Sequence, residues 1–461
     1  MLKREYRVLP EAPGLRKLIG PSFILLGLGL GSGEIILWPY LASNWGLGIV
    51  WGAFLGLFFQ FFINMEIERY SLVRGESVFV GLARRWRWVP LWLIFSTLVG
   101  FGWPGIIASS AFLFSKVFGG NSTIVAIIFL ILIGGILSFG KYIYSTVEHF
   151  SKYIILIGVP FIIILAIWLA DGSDWTALAQ GVIGKGNNFW FLPAGIPIAS
   201  FLAAFAFSGA GGNLNLAQSV YIREKGYAMG YFMEKTKSLF AGSKQQIDLN
   251  GFEFQPTAEN MNRFAVWWKN VNREHAIVFW FTGLITIFLL LLLAFTTTFG
   301  LPDNASGIQF VINEARVIGE QTIPFIGTLF ILVTGLMLFS TQFSIMDSTS
   351  RIMSENYAAF KARKNKGANL SKLYYFFLWA QILFSIVVFA FGFNQPFTLL
   401  TISAVINAVC MFVHIGLVNV LNYKELPKEI QPLLWRRVII LISFLFFGFF
   451  SAMTFWDQFL K

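Results

Sequence analysis

The stretch GLGLGSGE at 27–34 and its counterpart SGAGGNLN at 208–215 decide how this chain folds. The first places Gly27, Gly29, Gly31 and Gly33 inside an apolar run, and the second places Gly209, Gly211 and Gly212 inside another. One glycine costs a helix about 1 kcal/mol relative to alanine, so several together predict local unwinding. At membrane depth, unwound backbone persists only where protein buries it or where it lines a cavity. Glycines at short spacing also let two helices pack closely, so either run alone has two readings. Their placement favours the break. The runs interrupt the first and the sixth of about eleven apolar stretches, and matching breaks five helices apart are the sequence mark of an inverted-repeat transporter site.

Composition supports the membrane reading that this argument needs. Of 461 residues, 56% are hydrophobic and 12% are charged, against roughly 25% charged in soluble domains. The mean hydropathy is +0.69. The 52 Phe and 16 Trp suit lipid contact and the interfacial belt. The single cysteine, Cys410, excludes an intrachain disulfide framework and a cysteine metal cluster. The first 17 residues are polar and the first apolar run is too long for a signal-peptide core, so no cleavable signal is expected.

The apolar stretches organise the chain as an all-α polytopic membrane protein. Residues 1–18 form an N-terminal segment, 19–170 a first five-helix repeat, 171–191 a connection, 192–421 a second five-helix repeat, and 422–461 an eleventh helix with the C-terminus. With the N-terminus inside, 30 of the 34 Lys and Arg fall in inside segments, and only Lys116, Lys185, Arg316 and Lys461 fall outside. That asymmetry is the positive-inside rule. It predicts a cytosolic N-terminus and an outside C-terminus. It also accounts for the net charge of +11 without a nucleic-acid partner. A polar insertion at 223–274, with Lys235, Lys237, Lys244, Asp248, Glu253 and Glu259, interrupts the second repeat and is the place where a protein partner would dock. The basic stretch 348–372, with Arg351, Lys361, Arg363, Lys364 and Lys366, carries apolar Ile352, Met353, Tyr357 and Phe360, which predicts that the eighth helix runs on past the bilayer.

A broken helix exposes N–H groups where its second half starts and carbonyls where its first half ends, and these bind anions and cations respectively. The candidate substrate site is therefore Gly31, Ser32, Gly33 and Glu34 in the first span with Gly209, Gly211, Gly212 and Asn213 in the sixth. Glu34 and Asn213 are the candidate metal ligands. Both also suit an N-cap, where a side-chain oxygen satisfies free N–H groups. Glu66, Glu68 and Arg69 close the second span as NMEIERY, a candidate ion-pair network or inner gate. Asp347 and Ser344 are candidates for a coupling ion, with an i,i+4 pair between Asp347 and Arg351 as the alternative. No cofactor is expected beyond a bound metal cation or coupling ion. With three His and no HExxH, GxSxG or P-loop pattern, the chain is not expected to be an enzyme.

Gly20-Pro21 at the start of the first span, the motif at 31–34 and the ending ERYSLVRG at 68–75 resemble the natural resistance-associated macrophage protein (Nramp) family. LWLIFSTLVGFGWPGIIASSAFLFSKVFG at 91–119 is similar to the family's third helix, and VEHFSKYIILIGV at 147–159 to the entry of its fifth. The resemblance implies a LeuT-type 5+5 inverted repeat and proton-coupled import of manganese or iron. The family's Asp-Pro-Gly-Asn motif falls on Gly31, Ser32, Gly33 and Glu34, and its Met-Pro-His motif on Gly211, Gly212 and Asn213. Its acidic third-helix positions read Ser96, Trp103 and Ile106 here. The aspartate, the thioether and the proton route are thus replaced, and without soft sulfur the remaining donors suit harder ions. GSGE also resembles the GSGI-type motif of amino-acid transporters in the wider superfamily. The expectation is a secondary transporter in the lipid bilayer moving a small solute, foremost a metal cation. An amino acid or small organic anion on the same fold is an alternative, as is a membrane receptor that has lost transport.

Overall fold

The computed structural model describes residues 4–15, 18, 20–139, 143–233, 250–305, 307–362 and 368–459. Among these, ten helices are long and apolar enough to cross a membrane. The sixth span joins them as two shorter helices, Ile198–Ala206 and Leu214–Lys225, separated by its glycine run. The chain is therefore the expected all-helical polytopic membrane protein.

The first span is Pro21–Gly29, a π-helical turn Ser32–Leu37 and Trp38–Trp45. The second is Val50–Arg74, the third Val89–Phe101 with Gly105–Phe118, the fourth Ser122–Phe139 and the fifth Ile143–Leu169. The seventh combines Ala258–His275, a π-helical turn Ala276–Phe281 and Thr282–Thr298. Pro324–Ala362, Leu370–Ala390, Pro396–Glu425 and Leu434–Phe459 complete the bundle. Local chemistry sets many of the ends. Proline occupies the first turn of the helices that begin at Pro21, Val89 and Pro396, where its missing N–H costs nothing. The second span stops at Gly75, whose φ of 70° is the left-handed cap that favours glycine. Pro104 interrupts the third span, and Ser385 and Ser403 of the ninth and tenth spans donate to the carbonyls of Gly102 and Gly100 near that kink.

Burial sorts the spans into an inner and an outer set. The first span is wholly enclosed by protein, while the fourth, fifth and eleventh turn most of their surface outward. Ile128, Ile131, Ile157, Ile164, Leu441 and Phe449 stand exposed on those outer helices, as lipid-facing side chains do. The eighth helix is 39 residues long, about 58 Å at the helical rise and well beyond a bilayer's apolar thickness. Its continuation as helix through Ile352, Met353, Tyr357 and Phe360 is as the sequence suggests. Arg363, Lys364 and Lys366 lie outside the described residues.

Two segments hold more structure than their polarity suggests. The connection 171–191 contains the helix Gly172–Val182, started by a reciprocal Asp171–Asp174 capping box, and a hairpin pairing Lys185–Gly186 with Phe189–Trp190. Within 223–274, residues up to Lys225 end the sixth span, and Ala258–His275 is an amphipathic helix that runs directly into the seventh. Between these two helices lie residues 226–257, because the polar stretch 258–274 belongs to a helix with one packed face. Lys235, Lys237, Lys244 and Asp248 lie outside the described residues, as does Lys461.

The N-terminal segment lies across the end of the bundle that carries the basic loops. Arg7 N–H donates to the Glu253 carbonyl, Leu9 N–H donates to Asn260, and Trp267 donates to the Pro10 carbonyl. Arg4 bridges Glu76, Glu253 and Glu425.

Candidate functional site

The two glycine runs meet. Gly29 lies so close to Gly209 that a Cβ there would sit 2.7 Å from the Gly209 Cα, and a Cβ on Gly33 would sit 1.8 Å from the Phe207 carbonyl oxygen. Moving forward along the first span matches moving backward along the sixth, so the breaks are antiparallel, as an inverted repeat requires. Close packing and broken helices, the two readings of such glycines, are both realised.

The breaks differ in extent. In the sixth span, Gly209, Gly211 and Gly212 take φ of 128°, 68° and 52°, a left-handed path that side chains resist. In the first, the interruption is confined to Leu30 and Gly31, with Gly31 at φ −129° and ψ −101°. The expectation of unwound backbone through residue 33 is corrected here, because Ser32–Leu37 closes into a π-helical turn. Such single turns relieve a local mismatch while keeping backbone bonds.

Glu34 sits in that turn, fully buried, and neither carboxylate oxygen has a hydrogen-bond partner. It makes no capping bond. A carboxylate stripped of water without compensation is among the costliest groups in a membrane protein. Asn213 does not cap its helix either. Its Nδ2 donates to Ser96 Oγ at 2.9 Å and Thr97 Oγ1 at 3.0 Å on the third span, and its Oδ1 is unpartnered. Asn407 of the tenth span donates to the Gly100 carbonyl, leaves its own Oδ1 unpartnered, and crowds Gly212, whose Cβ would lie 2.0 Å from that oxygen. Thr341 of the eighth span packs on Gly31 and donates to the Gly27 carbonyl at 3.0 Å. Gln60 braces the sixth-span break by donating to the Ala206 carbonyl and accepting from Gly211 N–H. Trp38 reaches across to Ser208 Oγ at 2.7 Å.

Several solved structures resemble this chain in overall fold. No protein-family model matches the sequence, and no curated protein matches it. A mutant of the manganese transporter of Eremococcus coleocola superposes with a TM-score of 0.72 at 12% identity, over 99% of this chain and 90% of that one. Mhp1, a nucleobase-cation-symport-1 family transporter with bromovinylhydantoin bound, gives 0.51 at 12% identity, covering 99% and 96%. MhsT in complex with L-phenylalanine gives 0.54 at 15% identity, covering 95% and 98%. The chain has the LeuT-type fold. At these identities the likeness establishes architecture, and the chemistry rests on the residues themselves.

In that fold the remaining candidates separate. Glu66 and Arg69 pair at 2.7 Å on one face of the second span. Arg436 of the eleventh span binds the same carboxylate at 2.7 Å, Asn422 of the tenth donates to the Glu66 carbonyl, and Arg69 lies 3.9 Å over the Trp268 ring. Glu68 is not in this network. Two residues along a helix point to opposite sides, and Glu68 faces Gln218 at 2.7 Å instead. Asp347 receives Arg351 Nε at 2.9 Å, Tyr374 hydroxyl at 2.8 Å and Tyr221 hydroxyl at 3.3 Å. Ser344 bonds Ser151 of the fifth span at 2.9 Å, so the two candidates for a coupling ion have separate partners.

Several residues around the breaks escaped the sequence reading. Gln60 and Asn64 carried a usable signal, because with Glu68 they form a row four residues apart in an apolar span. Asn407, Thr341 and Thr97 carried none, since isolated small polar residues are common in membrane helices.

Proposed function

We propose that the chain is a secondary transporter on an Nramp-like scaffold, oriented with its N-terminus in the cytosol, and that its solute is a small cation carried past Glu34. The observation that supports this is the fully buried Glu34 carboxylate, unpartnered at both oxygens and placed at the first-span break. A bound cation compensates such a group. The unpartnered amide oxygens of Asn213 and Asn407 flank the sixth-span break and extend the same chemistry. All of these are hard oxygen donors, which favour magnesium, calcium or manganese over soft ions. Manganese is the ion in the name of the E. coleocola transporter. An anionic solute is disfavoured, because Glu34, Gln60, Ser96, Thr97, Asn213, Thr341 and Asn407 include no positive charge to offset it. Gly33 and Phe207 are packed without spare room, so carrying a solute requires the halves to part, which alternating access provides.

The test is thermal unfolding of purified protein with magnesium, calcium, manganese or cadmium and with a panel of amino acids. A ligand at 100 times its Kd stabilises the folded state by about 2.7 kcal/mol. A hard divalent ion should raise Tm, and Glu34→Gln should abolish that rise. A strong cadmium shift, an amino-acid shift indifferent to Glu34, or no Glu34-dependent cation shift would each refute the reading.

A further inference from the structure

The polar row on the second span leads away from the cation chemistry. Gln60 Oε1 accepts from Asn215 Nδ2 at 3.2 Å, Asn64 Oδ1 accepts from the same group at 2.6 Å, and Glu68 Oε1 accepts from Gln218 Nε2 at 2.7 Å. All five side chains are fully buried. The row spans from the sixth-span break, which Gln60 braces, to Glu68 near the basic end, and its hydrogen bonds fall into two sets, Gln60–Asn215–Asn64 and Gln218–Glu68.

At Glu68 it enters a cluster built from three further residues. Ser22 Oγ, on the first half of the first span, lies 2.6 Å from Glu274 Oε2 and 2.9 Å from His275 Nδ1. His275 Nδ1 lies 3.4 Å from Glu68 Oε1. A serine hydroxyl has one hydrogen. Donated to Glu274, it leaves Ser22 accepting from His275 Nδ1–H, which links Glu274, Ser22 and His275, with Glu68 Oε1 standing beside the same Nδ1 at 3.4 Å. The imidazole is clamped between the rings of Phe61 and Phe279, at centroid distances of 5.6 and 4.7 Å. Glu68, Glu274 and His275 are each at least 95% enclosed, and Glu68 Oε2, Glu274 Oε1, His275 Nε2 and Gln218 Oε1 are unpartnered.

The surrounding charges do not neutralise the cluster one for one. Lys225, at the end of the sixth span, acts on Glu274 but is itself held by Glu148 of the fifth span at 2.8 Å. The Tyr227 hydroxyl, beyond Lys225, donates to the Leu18 carbonyl. Arg69 and Arg436 both pair with Glu66 on the other face of the second span. Two carboxyls and an imidazole so close in a low dielectric titrate as a unit and share protons. Among the described residues no three of His, Cys, Asp or Glu are grouped as metal ligands.

We propose that Glu68, Glu274 and His275 form a shared proton-binding site, with Ser22 bridging Glu274 to His275 and Gln218 of the sixth span held on Glu68. Ser22 belongs to the first span, so displacement of that half-helix dismantles the bridge, and by linkage the proton count biases the position of the half-helix. The site needs no solute to bind its proton and stands apart from the Glu34 reading.

The test is infrared difference spectroscopy of the full-length protein in lipid nanodiscs between acid and alkaline pH, with no cation or amino acid added. Protonated carboxyls give a resolved carbonyl band. Glu68→Gln and Glu274→Gln should each remove one component of it. His275→Asn should move the midpoint of the remaining component by about one pH unit, a tenfold change in proton affinity, which a purely structural role would not do. Should a Gln variant fail to fold, Glu68→Asp and Glu274→Asp should keep a carboxyl band displaced in frequency. Carboxyl bands unchanged in the Gln variants, or in the Asp variants where those replace them, would overturn the proposal. That outcome would leave the Glu34 test untouched, and a failed Glu34 test would leave this one standing.

Discussion

Alanine at Gly33 probes the join between the two breaks most directly. The added Cβ would lie 1.8 Å from the Phe207 carbonyl oxygen, about 1.6 Å short of the 3.4 Å at which ordinary contact begins. It would also lie 2.4 Å from the Phe207 carbonyl carbon. Backbone cannot rotate aside as a side chain does, so one half-helix must shift. Overpacking typically costs 1–3 kcal/mol, and a backbone neighbour places this case at about 3 kcal/mol or more. Gly135 of the fourth span is the control, because a Cβ there meets nothing within 4 Å. Gly135→Ala should gain up to about 1 kcal/mol from helix propensity. Gly27→Ala should fall between, since its new neighbour, Ser151 Cβ, is at 3.1 Å and belongs to a side chain. Purified variants are heated in detergent, and the fraction surviving as monodisperse protein is read by size exclusion. The expected order of stability is Gly135→Ala, then Gly27→Ala, then Gly33→Ala. Equal stability of Gly33→Ala and Gly135→Ala would show that the breaks are not packed on each other.

Three further outcomes follow from particular contacts. Burial holds the Glu314 carboxyl, on the short helix Gln309–Gln321, well above the usual carboxylate range, and its Oε1 is unpartnered. A raised folded value gives stability that is full below the unfolded pKa and is lost as pH rises through the folded one, so Glu314→Gln should raise Tm on the alkaline side, with the gap closing on acidification. Asp347→Asn should cost about 3–5 kcal/mol by leaving Arg351 buried without its main partner; a double-mutant cycle with Arg351→Met should recover part of it, and additive losses would argue against the pair. Cys410 is buried, so introduced thiols can be labelled cleanly: Glu11→Cys and Lys185→Cys should react from opposite faces of the membrane, and labelling from one face would reverse the positive-inside assignment.

What the sequence determined by itself was everything governed by local periodicity and composition. The spans, the two breaks, the overlong eighth helix and the Asp347–Arg351 pair depend on residues at most a few turns apart, and Gly211-Gly212 destabilises a helix wherever it stands. Side-chain partners across the bundle belong to another class. Glu34 and Asn213 each suited a ligand or a helix cap, and the choice between capping and reaching elsewhere was set by which helix lay opposite. Asn213 found Ser96 and Thr97, 117 and 116 residues away, and Glu34 found no partner at all. Glu66 and Glu68 looked like one network until helix rotation sent the first to Arg436 and the second to Gln218 and His275. The polar length of 223–274 concealed the helix Ala258–His275 because only its packed face, with Phe264, Trp267 and Val271, is buried. Helical period fixes which residues share a face, but the identity of the facing helix follows from chain topology, and it is that neighbour which decides whether a buried polar group is satisfied.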